Sequence, residues 1–312
     1  MTKHKIFTAT ILSLALIALF SLTSLGCSYT NYDVGDLQVI HEKTFNTTEG
    51  KRFTLKAYSG DVYITTSDEP SVYVKILGNN RAKEKVNFKF ENTSDGVSVI
   101  TERPDGWNFF SFGRGIKLRF EIRLPKNYNA DISSSGGDIT VKDLNGSKEL
   151  KSSGGDISIE NSNGSLFAST SGGDIQLSNI TGDQKLKTSG GDITSMDFKG
   201  DLDASTSGGN ITLKGTDSKI DASTSGGEIK LNYSGENLGI NLFSSGGDIA
   251  VKLPAGFNAH ADLHASGGDI SCSFKGSNVT KISSSKYEAD LNNGGKTLYV
   301  KTSGGDIDIS QQ

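Results

Sequence analysis

Ser153-Gly154-Gly155-Asp156-Ile157-Ser158-Ile159 is followed eighteen residues later by Ser171-Gly172-Gly173-Asp174-Ile175-Gln176-Leu177, and the same phrase returns along most of the chain. The Ser-Gly-Gly-Asp-Ile unit begins at Ser135, Ser153, Ser171, Ser189, Ser207, Ser225, Ser245, Ser266 and Ser303, with Asn210 and Glu228 replacing Asp in two copies. The first six copies are 18 residues apart, the next two 20 and 21, and the last 37, close to two repeats. A fixed period of this kind marks a repeat architecture in which each unit buries its apolar face only against its neighbours.

Within a repeat the pattern has period two, as in Asp156-Ile157-Ser158-Ile159, so the segments between turns read as strands. Counted from the first glycine of each pair, the third residue on is Ile in all nine copies, from Ile139 to Ile307. The fifth is apolar in seven of them, with Ser195 and Cys272 as exceptions. Four residues before the glycine stand Ile132, Leu150, Ala168, Leu186, Ala204, Ala222, Leu242, Leu263 and Val300, which complete an inward set. A second turn follows nine residues after the first glycine, at Asn145-Gly146, Asn163-Gly164, Thr181-Gly182 and Lys199-Gly200. Gly and Asn tolerate positive φ, which both turns are expected to need. The fold expected is all-β: a single-stranded β-helix, or β-solenoid, with about 18 residues per repeat. At roughly 4.8 Å per coil, nine copies make a stack about 40 Å long.

The regular solenoid spans 131–312, and 51–130 reads as an irregular N-terminal β region of early coils and cap. In that region Ser59-Gly60-Asp61-Val62-Tyr63-Ile64 falls into the repeat register with one glycine missing, and Ile116 to Leu124 alternates as a strand leading into the regular repeats. All six Arg, from Arg52 to Arg123, lie there. So does an aromatic run, Trp107, Phe109, Phe110 and Phe112, which either packs as a cap or forms an exposed contact loop for a sugar or a partner.

Residues 1–26 read as a signal peptide and 27–50 as a lipid-anchored tether and first strand. Lys3 and Lys5 precede an apolar run from Ile6 to Leu25, about long enough to span a bilayer but with the charged start and small-residue exit of a cleaved signal. Leu22-Thr23-Ser24-Leu25-Gly26-Cys27 resembles the lipobox of bacterial lipoproteins, in which the cysteine is acylated and becomes the N-terminus. Ser24 and Leu25 depart from the usual aliphatic and small residues of that motif; Gly26 and Cys27 match it. The resemblance implies lipidation at Cys27 and, with Ser28 rather than Asp following, sorting to the outer membrane of the cell envelope. Cys27 and Cys272 are the only cysteines, so no disulfide framework is available. Loss of Lys3 and Lys5 moves the formal net charge from −4 to −6, which argues against a nucleic-acid partner.

The Ser-Gly-Gly-Asp-Ile units from Ser135 to Ile307, the opening Ser59-Gly60-Asp61-Val62 and the approach Ile122-Arg123-Leu124-Pro125 resemble a family of exported bacterial proteins labelled adhesins, of the domain of unknown function 4097 type. The resemblance covers most of the mature chain and implies a right-handed β-helix.

Asp138, Asp156, Asp174, Asp192, Asp248 and Asp269 should form a ladder. Glycine-rich nonapeptide β-rolls hold calcium through an Asp in each turn, in the form Gly-Gly-x-Gly-x-Asp. Here Asp follows the glycines at once, so that ligand geometry is not reproduced. Neighbouring carboxylates repel by about 1 kcal/mol in water, so the ladder must be solvated, with Lys142, Lys148, Lys151, Lys185 and Lys187 at hand to offset it. Weak calcium binding, in the millimolar range, is the sharper reading, and no other cofactor is implied. His260 and His264 lie four apart, about 13 Å along a strand, too far for joint metal ligation. Cys272 at an inward position reads as a buried, inert thiol. The runs Ser169-Thr170-Ser171, Ser205-Thr206-Ser207 and Ser223-Thr224-Ser225 read as hydroxyl ladders with no His and acid to activate them.

The function expected is therefore a non-catalytic envelope lipoprotein, held to the membrane by lipid, that presents a β-helical surface to a glycan or surface protein for adhesion, binding or scaffolding. Two alternatives stand beside it: a polysaccharide lyase or hydrolase on the same fold, which would need a carboxylate pair set apart at one place, and an accessory in envelope-stress signalling. Self-association through solenoid ends is also expected, with Ser303 to Ile309 as the exposed C-terminal coil.

Overall fold

The computed structural model describes residues 37–102 and 115–312, with the backbone alone over 280–282. Strands gather into two sheets, of thirteen and fourteen strands, and each regular repeat gives one strand to each. Ile157–Asn163 lies in the first sheet, between Ile139–Lys142 and Ile175–Thr181, and Leu166–Ser169 lies in the second. Pairing is parallel and strictly in phase: Ile157 stands opposite Ile139 and Ile175, and Leu166 opposite Lys148 and Gln184. An 18-residue period with period-two strands permits no other register that keeps the same face inside. The inward columns are dry; Ile139, Ile157, Ile175, Ile193, Ile211, Ile229 and Ile249 are all buried, as are Ile132, Leu150, Ala168 and Leu186 facing them from the second sheet. Each such isoleucine contributes roughly 2 kcal/mol of burial, and identical neighbours above and below make the contribution repeat.

The glycine pair works differently from the expectation of positive φ. Of the nine pairs only Gly137 has it, at 103°. The second glycine is required because coils touch there: a Cβ on Gly155 would stand 2.0 Å from Gly137 O, on Gly173 2.3 Å from Gly155 O, and on Gly209 2.0 Å from Gly191 O. Left-handed backbone sits at the opposite corner, at Asp143, Asn161, Asn179, Asp197 and Asp217 (φ 49–60°) and at Gly146, Gly164, Gly182 and Gly200. Short Asx side chains tolerate that conformation, and it turns Leu144, Ser162, Ile180 and Phe198 into the core.

Both ends of the stack depart from chain order. The last copy is not terminal: Thr297–Thr302 pairs with Ile240–Ser244 on one side and Ala259–Ala265 on the other, and Ile307–Gln311 lies between Ile249–Leu253 and Ile270–Cys272. The expectation that Ser303 to Ile309 forms an exposed end is thus corrected; Ile307 and Ile309 are buried, and the end is formed by Ile270–Cys272 in one sheet and by Gly276–Ile282 beside Lys286–Leu291 in the other. The N-terminal end is built the same way. Arg52–Ala57 and Asp61–Ser67 make a coil in the predicted register, Val62 opposite Ile139, but it lies between the regular repeats and a coil made of Gly96–Glu102 and Leu118–Pro125. The strand at 118–125 therefore meets the early coil and not the first regular repeat. Outside it run the antiparallel strands Ser71–Gly78, Gln38–Asn46 and Asn87–Thr93. A short helix, Asn80–Lys85, is capped by the Asn79 side chain, which accepts from the Ala82 N–H.

Candidate functional site

At the glycine corner an Asp ladder forms, with rungs tied in two runs, from Asp61 to Glu228 and from Asp248 to Asp269. Asp156 N–H donates to Asp138 Oδ1 (2.9 Å), Asp174 N–H to Asp156 Oδ1 (2.8 Å) and Asp192 N–H to Asp174 Oδ1 (2.8 Å). Asn210 and Glu228 continue it, and the altered coil order places Asp306 between Asp248 and Asp269. Asp61 opens the series by accepting from Asp138 N–H. In these rungs one side-chain oxygen is committed to the backbone, which explains why Asn210 serves as well as Asp, whereas Glu228 pairs with Lys230 instead. Most rungs are solvent-exposed, with Asp174 half-buried. Among the described residues no three His, Cys, Asp or Glu side chains come together as metal ligands.

Beside the ladder lies a second one, of hydroxyls. In seven of the nine copies the residue two before the first glycine, Ser152, Thr170, Thr188, Thr206, Thr224, Ser244 or Thr302, is buried and bonded alike. Its hydroxyl donates to the carbonyl of the second glycine one coil away, as in Thr170 to Gly155 (2.9 Å) and Thr224 to Gly209 (2.8 Å), and accepts from the second glycine of its own turn. The middle hydroxyls of the Ser-Thr-Ser runs are thus structural. The signal available was the β-branched Thr at a position whose parity matches the inward Ile and Leu.

The lysines expected to offset the ladder do other work. Lys142 pairs with Glu160 (3.0 Å), Lys151 with Glu149 and Lys185 with Asp203 (2.7 Å). Lys148 turns inward, 1% exposed, at the place Leu166 and Leu202 take in later coils, and its Nζ donates to Leu144 O (3.1 Å), Gly146 O (2.8 Å) and Asn163 O (2.8 Å). Three carbonyls solvate the ammonium without neutralising it, so burial pulls its pKa from 10.5 down to about 8. Below pH 8 both folded and unfolded chains carry the proton and the burial cost is present in full. Between pH 8 and 10.5 the folded chain releases the proton while the unfolded chain keeps it, so stability rises with pH, by roughly 3 kcal/mol over the whole interval. Urea midpoints of the parent and of Lys148→Met at pH 7 and pH 10 test this; the parent should gain on the variant at high pH, and parallel midpoints would show that the ammonium is not desolvated.

His260 and His264 are held apart, as the spacing required. His260 Nδ1 meets Asp290 Oδ1 at 2.9 Å and His264 Nε2 meets Asp262 Oδ1 at 2.8 Å. Cys272 departs from the expectation of a fully buried thiol, because Ile270–Cys272 is an edge strand; it is half-buried, and burial raises its pKa. Cys27 and the aromatic residues Trp107, Phe109, Phe110 and Phe112 lie outside the described residues.

Among the described residues the outward surfaces carry several concavities, including one of about 420 Å3 at the ladder around Glu228, Asp248, Asp269 and Asp306. On the second sheet a groove of about 670 Å3 runs over Glu149, Phe167, Lys185, Asp203 and Asp221, one residue per coil. Lys185 pairs with Asp203 between coils and Lys219 with Asp221 two residues on (2.9 Å), each pair about half-exposed and contributing little to stability, while Asp183 and Asp201 accept from backbone N–H groups of the next coil. On the first sheet, near its N-terminal end, Tyr63, Tyr73, Arg119 and Arg123 line another hollow of about 380 Å3. The sequence showed that every Arg precedes residue 124, but not which of them share a face, since the strands involved are 50 residues apart.

The two-sheet coil, the glycine contacts and the Asp ladder agree with a family model described as Toastrack DUF4097, which matches residues 50–310. The chain belongs to the Toastrack family. A solved candidate adhesin from Bacteroides fragilis is similar to this Toastrack chain at 19% identity and a TM-score of 0.47, covering 70% of this chain and 96% of that one. A candidate adhesin from Parabacteroides merdae is similar at 10% identity and a TM-score of 0.37, covering 89% and 97%. A candidate lipid-binding protein from Parabacteroides distasonis gives 10% and 0.25, covering 89% and 97%. No curated protein matches the chain.

Proposed function

We propose that this Toastrack chain is a non-catalytic cell-envelope lipoprotein, anchored by lipid on Cys27 in the outer membrane, whose solenoid faces bind a glycan or a surface protein in adhesion. The observation that carries this reading is the fate of the carboxylates. Those of Asp138, Asp156, Asp174, Asp192, Asp248 and Asp306 each give an oxygen to a neighbouring coil's backbone N–H, as do Asp183 and Asp201 in the groove, where Asp203 and Asp221 meet lysines. Sugar hydrolysis needs two carboxyl groups in contrasting environments at one place; a repeat that gives every coil the same environment supplies the opposite. Repetition suits a binder, because many weak equivalent contacts add along an extended ligand.

The purified protein passed over immobilised envelope and host glycans and matrix proteins, with and without calcium, should be retained by one class without cleaving it. Shortening of any retained chain would overturn the non-catalytic reading. Lipidation is tested separately by growing cells with an alkyne fatty acid. The parent protein should be labelled and Cys27→Ala should not; a labelled variant would remove the anchor from that residue.

A further inference from the structure

We propose that the outward face formed by Tyr63, Tyr73, Arg119 and Arg123 binds an acidic oligosaccharide, a sugar chain bearing carboxylate or sulfate groups. The proposal rests on the binding reading above and names a ligand class and a place for it.

Three adjacent strands build the face, Asp61–Ser67, Leu118–Pro125 and Ser71–Gly78. Alternation buries Val62, Ile64, Phe120, Ile122, Val74 and Ile76 and leaves the residues between them outward. Registry sets Tyr73 and Thr65 on either side of Arg123, and Lys75 and Tyr63 on either side of Glu121. Each guanidinium lies over a tyrosine ring, Arg123 at 4.9 Å from the Tyr73 centroid and Arg119 at 5.4 Å from that of Tyr63. The nearby carboxylates are engaged elsewhere: Glu121 by Lys75 at 3.1 Å, Glu42 by the Tyr73 hydroxyl at 2.7 Å, and Asp61, opposite Arg119, by the Asp138 N–H at 3.2 Å. Among the described residues neither arginine has a carboxylate within 4.0 Å, and Arg119 Nε is buried with no hydrogen-bond partner.

Two guanidinium groups held over aromatic rings, with donors left over, suit planar or tetrahedral oxyanions, which a guanidinium grips with two parallel hydrogen bonds. Tyr63, which stays 38% exposed, offers apolar area to the C–H side of a pyranose ring. A hollow of about 380 Å3 is of the size that takes small ligands. A polyphosphate backbone fits less well, because Glu42 and Glu121 interrupt the cations and a nucleic acid needs an unbroken row of them.

The test is calorimetry of the purified protein with tetragalacturonate, its methyl ester and a sulfated heparin tetrasaccharide. At least one acidic saccharide should bind, the neutral ester should not, and the stronger acidic ligand identifies the anion. R119Q/R123Q should weaken binding about tenfold or more, with an unchanged melting curve. R119K/R123K keeps the charge, loses the fork and should fall between, which serves if the glutamine pair does not fold. K187Q/K301Q, on the second sheet, should bind as the parent does. Equal binding of the ester, equal binding by the arginine variants, or no binding of either acidic saccharide would overturn the assignment. If the protein still retains another ligand on the array, only this site falls; if it retains none, the binding reading falls with it.

Discussion

Gly191→Ala should destabilise the solenoid by about 3 kcal/mol or more, whereas Gly190→Ala, one residue earlier, should change stability by less than about 0.5 kcal/mol. On Gly191 a Cβ would stand 2.0 Å from Gly173 O and 2.6 Å from Asp174 Oδ1, both part of the next coil's fixed edge. No rotamer relieves a contact made by Cβ itself, so the two coils must separate, and parallel hydrogen bonds and stacked isoleucines on both sides of the turn open with them. On Gly190 the nearest atom is Gly172 O at 3.5 Å, an ordinary contact. The lost flexibility of the unfolded chain even favours alanine there slightly. Thermal melts decide it. A midpoint lowered by roughly 10 °C for Gly191→Ala against a change within a couple of degrees for Gly190→Ala is the expected result. Equal effects would mean that the pair is conserved in the repeat for conformational freedom and not for contact.

Removing residues 297–312 should abolish cooperative folding of the C-terminal half. In a solenoid wound in chain order the last coil is a lid, and its loss shortens the stack by one unit. Here it is an interior layer. Leu298, Val300, Ile307 and Ile309 are buried, and their side chains together represent about 8 kcal/mol of burial, as large as the whole stability of many domains. Without them Ile240–Ser244 and Ala259–Ala265 face each other across a gap of roughly two strand spacings. Closing that gap would demand a new path for the connection through Pro254 and Phe257. Limited proteolysis and denaturant unfolding of the shortened chain test this; a compact product that melts within a few degrees of the parent would show that the last coil is peripheral. The same topology implies that Ala259–Ala265 and Ile270–Cys272 can take their places in the stack only after residues 297–312 have been made.

The legible part of this protein was the part that repeats. Ile139, Ile157 and Ile175 occupy identical positions in identical coils, so one correct reading of parity placed the inward columns, the Asp ladder and both turns. The errors lie where one coil differs from the next or where chain order and spatial order part. Lys148 was placed among the solvated cations because lysine is almost never buried unpaired, yet three backbone carbonyls at the Asn145-Gly146 corner receive it. Thr170 and its equivalents were read by residue type and not by parity. The Tyr63–Arg119 and Tyr73–Arg123 stacks were invisible, because no local pattern says which of the irregular N-terminal strands are neighbours.

By itself, then, the sequence determined the fold class, the period and which side chains face inward, because an 18-residue repeat with alternating apolar residues has a single register that buries them all. Only the tertiary structure decided the order of coils at the two ends. That order depends on which strand best covers an open sheet edge, a competition among distant segments whose local patterns are alike, and it is settled by the burial and hydrogen bonding of the assembled edge. The same competition brought two arginines and two tyrosines to one face.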